Sequence, residues 1–229
     1  MKSRWTMRQN QRNIKRTFAR RPVKFGGFAD NGKMANQSPV PTEISKLYEV
    51  HEWRNGLAIM SAARPKEWAD ILKVLANFRL LKSDILKPGG RKSTIAEKLD
   101  GHFTKLGWQE KGFDTRILVD KTEYVTPTHK VDCYKNRVAL EVEWNNKDPF
   151  FDRDLNNFRL LFDLRAIDVG VIITRCSELQ TIFDGLGRGP SYGSSTTHMA
   201  KLKPRIDGGS GGGCPIVVFG IRGACYVED

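Results

Sequence analysis

VDCYKNRVALEVEWNNKDPFFDRDL, residues 131–155, decides how the rest of the chain is read. Its first half has the period-2 rhythm of two strands joined around Lys135-Asn136. In the second strand Val138, Leu140, Val142 and Trp144 point one way and Ala139, Glu141 and Glu143 the other, the pattern of a half-buried strand. FFDRDLNNFRLLFDLR (150–165) follows as an amphipathic helix, with Phe151, Leu155, Phe158 and Phe162 along its apolar face. A tight turn sets Asp132 across from Leu140 or Glu141. Asp132, Glu141 and Glu143 then crowd three carboxylates together, and each raises the pKa of the others unless a cation sits among them.

Two readings account for that crowding. A hard, oxygen-ligated cation such as magnesium suits Asp132 and Glu141, with Glu143 completing the site or holding a second ion. The carbonyl of Val142 or Leu140 offers a further oxygen. Such a site serves metal-assisted attack of water on a phosphodiester. The other reading is a solvated acidic face on an ordinary amphipathic strand. Residue pattern alone leaves both open.

Outward from this stretch the elements alternate. PKEWADILKVLANFRLL (65–81) carries a helical apolar stripe, and Thr94-x-x-Glu97 resembles a capping box opening a helix that runs to about Leu106. FDTRILVD (113–120) reads as a strand, while IDVGVIITR (167–175) and IVVFGI (216–221) read as buried central strands. SELQTIFDGL is a short helix. Strands and helices thus both occur along the chain, an α/β pattern. GGRKST lacks the spacing of a phosphate loop, so a nucleotide site is discarded. RGPSYGSSTTHMAKLKPRIDGGSGGGCP (188–215) reads as one long polar loop. Loops of that length are usually functional or disordered, and Ser191, Tyr192, Ser194, Ser195, Thr196, Thr197, His198, Lys201 and Lys203 are all able to hydrogen-bond bases or phosphates.

The net charge is +12, unevenly placed. Residues 1–25 hold nine Lys/Arg and no acid, against 29 Lys/Arg and 26 Asp/Glu in the remainder. This basic arm suits nonspecific phosphate contacts, a solvated tail or an Arg-rich transit segment. Residues 26–42 read as a Gly/Asn/Ser/Pro linker, Met34 as an alternative start, and 43–229 as a single domain. No apolar run reaches membrane-spanning length and no secretory signal is present. Four cysteines without C-x-x-C spacing point to reduced thiols in the cytoplasm rather than zinc or disulfides. The four histidines are scattered and form no H-E-x-x-H pair.

The Asp132 segment, the nine-residue step to Glu141 and the E-x-E that follows resemble the PD-(D/E)xK nuclease superfamily, and within it the BglII/BstYI group of type II restriction endonucleases. The similarity continues through RVALEVEW, the next helix, IDVGVIITR and GGGCPIVVFGI, and covers roughly residues 44–229. That group usually carries E-x-Q, so Glu143 is a departure, resembling instead the E-x-E of the BamHI type. The resemblance implies an α/β fold with a restriction-endonuclease-like core, its mixed central sheet flanked by helices, Asp132 and Glu141 as metal ligands, and Glu143 at the catalytic position otherwise held by lysine. There it would act on the attacking water or bind a second metal. Also implied are Mg2+ (with Mn2+ able to substitute), a homodimer gripping double-stranded DNA, a GATC-centred palindrome cut by hydrolysis, and a cognate DNA methyltransferase. Candidate DNA-binding residues are Asn145, Asn146 and Lys147 after the catalytic strand, and Ser191, Thr196, Thr197, His198 and Lys201 in the long segment. A shape-reading nuclease of the same superfamily and a catalytically inactive DNA-binding regulator are the rival readings; the second would have no need of all three carboxylates.

Overall fold

The hairpin of the opening stretch is formed by β6 (Val131–Lys135) and β7 (Val138–Val142) of the computed structural model, which describes residues 38–87, 92–126 and 128–229. The basic arm, Met34 and residues 26–37 of the linker lie outside the described residues. Asn136 and Arg137, at φ 42° and 69°, make the hairpin turn. Two consecutive left-handed residues twist a chain reversal to match its strands, and they set the turn one residue later than expected. Cys133 pairs with Leu140 and Lys135 with Val138. The next step of this register sets Asp132 level with Glu141.

The hairpin belongs to a six-stranded mixed sheet. β8 (Val169–Arg175) and β9 (Ile216–Ile221) run parallel to β7. β1 (Tyr48–Trp53) closes one edge antiparallel to β9, and β3 (Gln109–Lys111) closes the other antiparallel to β6. Every residue of β7, β8 and β9 is buried. For β8 and β9 that is what near-continuous apolar runs demand when both sheet faces are covered. For β7 it corrects the half-buried reading, because helix rather than water covers its acidic face.

The period-2 alternation sorts side chains between two cores. Val138, Leu140, Val142 and Trp144 join Val171, Ile173, Val217 and Phe219 on one face. There they meet Trp68, Ile71 and Leu75 of α3 (Pro65–Asn77) and Ile95, Leu99 and Phe103 of α5 (Thr94–Lys105). Ala139, Ile172, Ile216 and Val218 face the opposite way. They are covered by Phe151, Leu155 and Phe158 of α6 (Pro149–Asp163) and by Leu202 and Ile206 of α8 (Met199–Asp207). Shorter helices α1 (Thr42–Leu47), α2 (Gly56–Ala63), α4 (Lys82–Leu86) and α7 (Leu179–Gly185) complete the shell.

Several expectations change. The helix expected over 65–81 stops at Asn77, and Leu80–Leu81 become β2, paired in parallel with β10 (Tyr226–Val227). The cap of α5 is Ser93, whose Oγ accepts from Ala96 N at 3.1 Å, so the capping residue stands one position before Thr94. The strand at 113–120 is β4 (Thr115–Val119), which pairs only with β5 (Thr122–Thr126) in a separate hairpin. The segment 188–215 is not loop throughout: Gly189–Tyr192 form a 3-10 turn and α8 fills 199–207. Pro204 inside α8 is the reason its helical pattern reads as loop. Among the described residues no helix is long and apolar enough to cross a membrane.

The close seating of α6 on β8 is testable. A Cβ on Gly170 would lie 2.3 Å from the buried Phe158 ring, whereas one on Gly101 in α5 meets nothing within 4 Å. Gly170→Ala is expected to destabilise by about 1–3 kcal/mol, and Gly101→Ala to stabilise by roughly 0.5–1 kcal/mol. Urea midpoints of the two variants should move in opposite directions.

Candidate active site

Glu141 and Glu143 lie on the face of β7 that α6 covers, and α6 brings a fourth carboxylate down onto them. Asp154 sits on the same helix face as Phe151, Leu155 and Phe158 and is fully buried. Asp132 and Glu141 are each held by a backbone N–H of the facing strand. Glu141 Oε2 accepts a hydrogen bond from Asp132 N at 3.2 Å, and Asp132 Oδ2 accepts one from Val142 N at 3.1 Å. His129 Nε2 lies 3.1 Å from Asp154 Oδ1 and 3.5 Å from Glu141 Oε1. Glu143 Oε2 accepts from Asn146 Nδ2 at 2.8 Å, and its Oε1 lies 3.4 Å from Arg153 Nη2. Arg153 also donates from Nε and Nη2 to Asp154 Oδ1, at 3.1 and 2.9 Å.

This burial has electrostatic consequences. Loss of solvation, followed by the charges of Asp154 and Asp132, holds Glu141 well above the usual carboxylate range. Glu143 is pushed up to about 10, first by burial and then by the charge and hydrogen bond of Asp154. Burial works against the charge of Arg153, but Asp154, and then Glu143 and Glu141, hold its guanidinium above its ordinary value. Without an added cation the cluster therefore retains protons.

The donor set suits a metal ion. His129, Glu141 and Asp154 each offer a ligand atom, all within 4.8 Å of one another. Glu141 Oε1 and Asp154 Oδ2 are buried and accept no hydrogen bond from the described residues. Buried carboxylate oxygens normally have a donor, and two left without one beside an imidazole fit a divalent cation. Asp132 and Glu143 flank this trio and line a cleft of about 1050 Å³, together with Lys92, Glu110, Trp144, Asn145, Asn146, Phe150 and Arg153.

The segments expected to face DNA prove to be joined to one another. Three residues beyond the end of β7, Asn145 turns left-handed (φ 58°), its Nδ2 donating to Ser191 O at 2.8 Å. Lys147 bridges Thr196, Asp148 N donates to Ser195 O, and Thr197 N donates to Asn146 O. Thr197 is fully buried: its Oγ1 accepts from Asn146 N and donates to Glu143 O. Thr196 Oγ1 donates to Gly193 O and accepts from Arg175 Nη2. The hydroxyls of Thr196 and Thr197 are thus committed within the protein. Lys147 and Ser191 are exposed. His198 is half-buried beside Ser177, and Lys201 lies 3.5 Å from Asp148.

Asp154, Arg153 and His129 escaped the sequence reading. Asp154 left a trace there, since an acid at 154 interrupts the 151, 155, 158 apolar stripe of α6. His129 left none; only the return of the chain into β6 brings it under α6.

No curated protein matches the chain. The family model described as restriction endonuclease BglII/BglIII matches residues 48–221. That span runs from the first residue of β1 to the last of β9, taking in the whole sheet and every carboxylate of the cleft. The chain belongs to the BglII/BglIII restriction endonuclease family and is a type II site-specific deoxyribonuclease.

Proposed function

We propose that the protein hydrolyses both strands of duplex DNA at a short palindrome with GATC at its centre, as a homodimer and with Mg2+. The observation that carries the metal reading is the pair of buried carboxylate oxygens without donors among the described residues, Glu141 Oε1 and Asp154 Oδ2, beside His129 and flanked by Asp132 and Glu143, which line the open cleft. Asp132, Glu141 and Asp154 would hold the ion, with Glu143 and His129 adjacent. When bound, the ion supplies positive charge that lowers the pKa of water and of the carboxyls around it. Asp132 and Glu141 are kept in place by the β6 and β7 backbone, so they meet a phosphate without rearranging. Glu143, poised by Asn146, takes a proton from the attacking water on its carboxylate.

Sequence reading falls to the unit formed by residues 145–148 and 191–198. Lys147, Ser191, Ser194 and Ser195 are its exposed members, and lysine suits the acceptor edge of guanine in the major groove. Two copies related by a two-fold axis present this unit twice, which is the geometry a palindrome requires. A chain with this activity needs its own genome protected, hence a partner methyltransferase of the same site preference. The buried free cysteines suit a reducing, cytoplasmic setting.

Three results are expected. Unmethylated plasmid incubated with the protein and Mg2+ should give discrete fragments whose sequenced ends define one GATC-centred palindrome, with no cutting in EDTA. Scattered ends would instead identify a nuclease that reads shape. Second, Asp132→Ala, Glu141→Ala and Asp154→Asn should each slow cutting by about 100-fold or more while duplex binding in EDTA persists. In the Asp154→Asn protein the rise in melting temperature on adding Mg2+ should also shrink.

The third concerns pH. Folded Glu143 keeps a proton that the unfolded chain releases above its ordinary value of 4.5, and releases it itself only near 10. The folded state therefore binds more protons across that window, and stability contributed by Glu143 falls as pH rises through it. Melting temperature of the metal-free protein should decline toward pH 10, less steeply in Glu143→Gln. Mg2+ should offset the decline, since it replaces the protons. A flat profile for the metal-free wild type would refute the raised pKa.

A further inference from the structure

The acidic end of the cleft poses a problem for its substrate. Asp132 and Glu143 line the cleft where a DNA phosphate has to approach, with Glu141 and Asp154 buried behind them, and like charges at close range repel. Charge on the phosphate oxygens rises further as water attacks, so a fixed cation aimed at those oxygens is the group with most to contribute. Among the described residues lining the cleft, Lys92 and Arg153 carry that charge. Lys92 is paired with Asp100 of α5.

Arg153 is held in a different way. Its Nε and Nη2 both bond Asp154 Oδ1, and Nη2 reaches Glu143 Oε1 as well. Its guanidinium carbon lies 4.3 Å from the centroid of the Phe150 ring. One edge of the planar group and one of its faces are therefore occupied, which fixes the rotation of the whole fork. Nη1 has no hydrogen-bond partner among the described residues. The Arg153 side chain is 43 % exposed, whereas Glu143 and Asp154 are 2 % and 0 % exposed. A guanidinium serving only to neutralise two buried acids gains nothing from keeping one amino group out of that contact and in the cleft wall.

We propose that Arg153 is a catalytic residue of the cleavage reaction: its Nη1 donates to a non-bridging oxygen of the scissile phosphate, and Asp154, Glu143 and Phe150 aim it there. The assignment rests on the reading of the cleft as the cleavage site. It makes Asp154 bifunctional, one oxygen orienting the arginine and the other left toward the metal cluster. No bond is made or broken by Arg153 itself; it binds the charge that the phosphate accumulates, and the proton of the attacking water leaves by way of Glu143.

The test uses the full-length protein and a duplex that the wild type cuts, made in two forms, one with the native scissile phosphate and one with an uncharged methylphosphonate at that position. Binding is measured in EDTA, so no metal contributes. Arg153→Ala and Arg153→Gln should weaken binding of the native duplex about tenfold or more and leave the methylphosphonate duplex unchanged. At saturating native DNA with Mg2+, both should lower kcat by about 100-fold, and Arg153→Lys should recover only part of it because a point charge does not reproduce the pinned fork. Equal weakening on both duplexes would make Arg153 a structural neutraliser and overturn the assignment. If Arg153→Ala fails to fold, Arg153→Gln and Arg153→Lys carry the same comparison. A wild type that cuts no DNA is a separate result, which overturns the reading of the cleft and this assignment with it.

Discussion

The burial of Glu141, Glu143 and Asp154 beneath α6 is the constraint around which the rest of the site is arranged. Removing a carboxylate from water costs several kcal/mol unless the protein supplies a counterpart. The counterparts here are specific: the Asp132 backbone N–H for Glu141, Asn146 for Glu143, and Arg153 for Asp154 and Glu143. They do not suffice. Among the described residues two carboxylate oxygens remain without donors, burial holds the Glu141 pKa well above the usual carboxylate range, and that of Glu143 is pushed up to about 10. A cluster under that strain is stabilised by any divalent cation that enters it, so the affinity for metal and the instability of the metal-free site have one origin.

The scaffold that tolerates this strain is the doubly covered sheet. β7, β8 and β9 are buried along their whole length, and the two cores they separate are almost entirely apolar. Apolar burial of that extent is the main favourable contribution to folding. It allows one end of one strand to be unfavourable. The acids enter at the C-terminal end of β7, where the chain leaves the sheet and the cleft opens.

The same strand end sets where DNA-facing segments lie. Thr197 bonds Glu143 O, and Asn145 bonds Ser191 O, so the 191–198 segment is attached to the backbone that carries the acids. Arg175, fully buried at the end of β8, donates to Tyr192 O and Thr196 Oγ1. Among the described residues it has no carboxylate partner, and burial pushes its pKa down to about 10. Its rings of Phe183 and Tyr192 lie 5.5 and 5.8 Å away, within the range of cation–π attraction. Hydrogen bonds and packing thus join the segment that would meet bases to the strand that would meet the phosphate, so a shift in one is transmitted to the other.

The elements with strong periodicity were legible from the chain alone. The β6–β7 hairpin, α6, β8, β9 and the shared face of Glu141 and Glu143 follow from local alternation of residues two or 3.6 apart, which depends on neighbours in sequence. α8 was hidden because Pro204 interrupts its pattern, and β3 because its three residues, Gln109–Lys111, are all polar. Asp154 and His129 belong to a different category. Nothing local says that an acid on α6 and a histidine before β6 will meet Glu141, since that meeting is created by the packing of α6 across the sheet. By itself the sequence determined the strand order of the acids, the faces they occupy and the family the chain resembles. Only the tertiary structure decided that those acids are buried, which fourth carboxylate joins them and which arginine stands over them, because desolvation and side-chain proximity are properties of packed layers rather than of a chain.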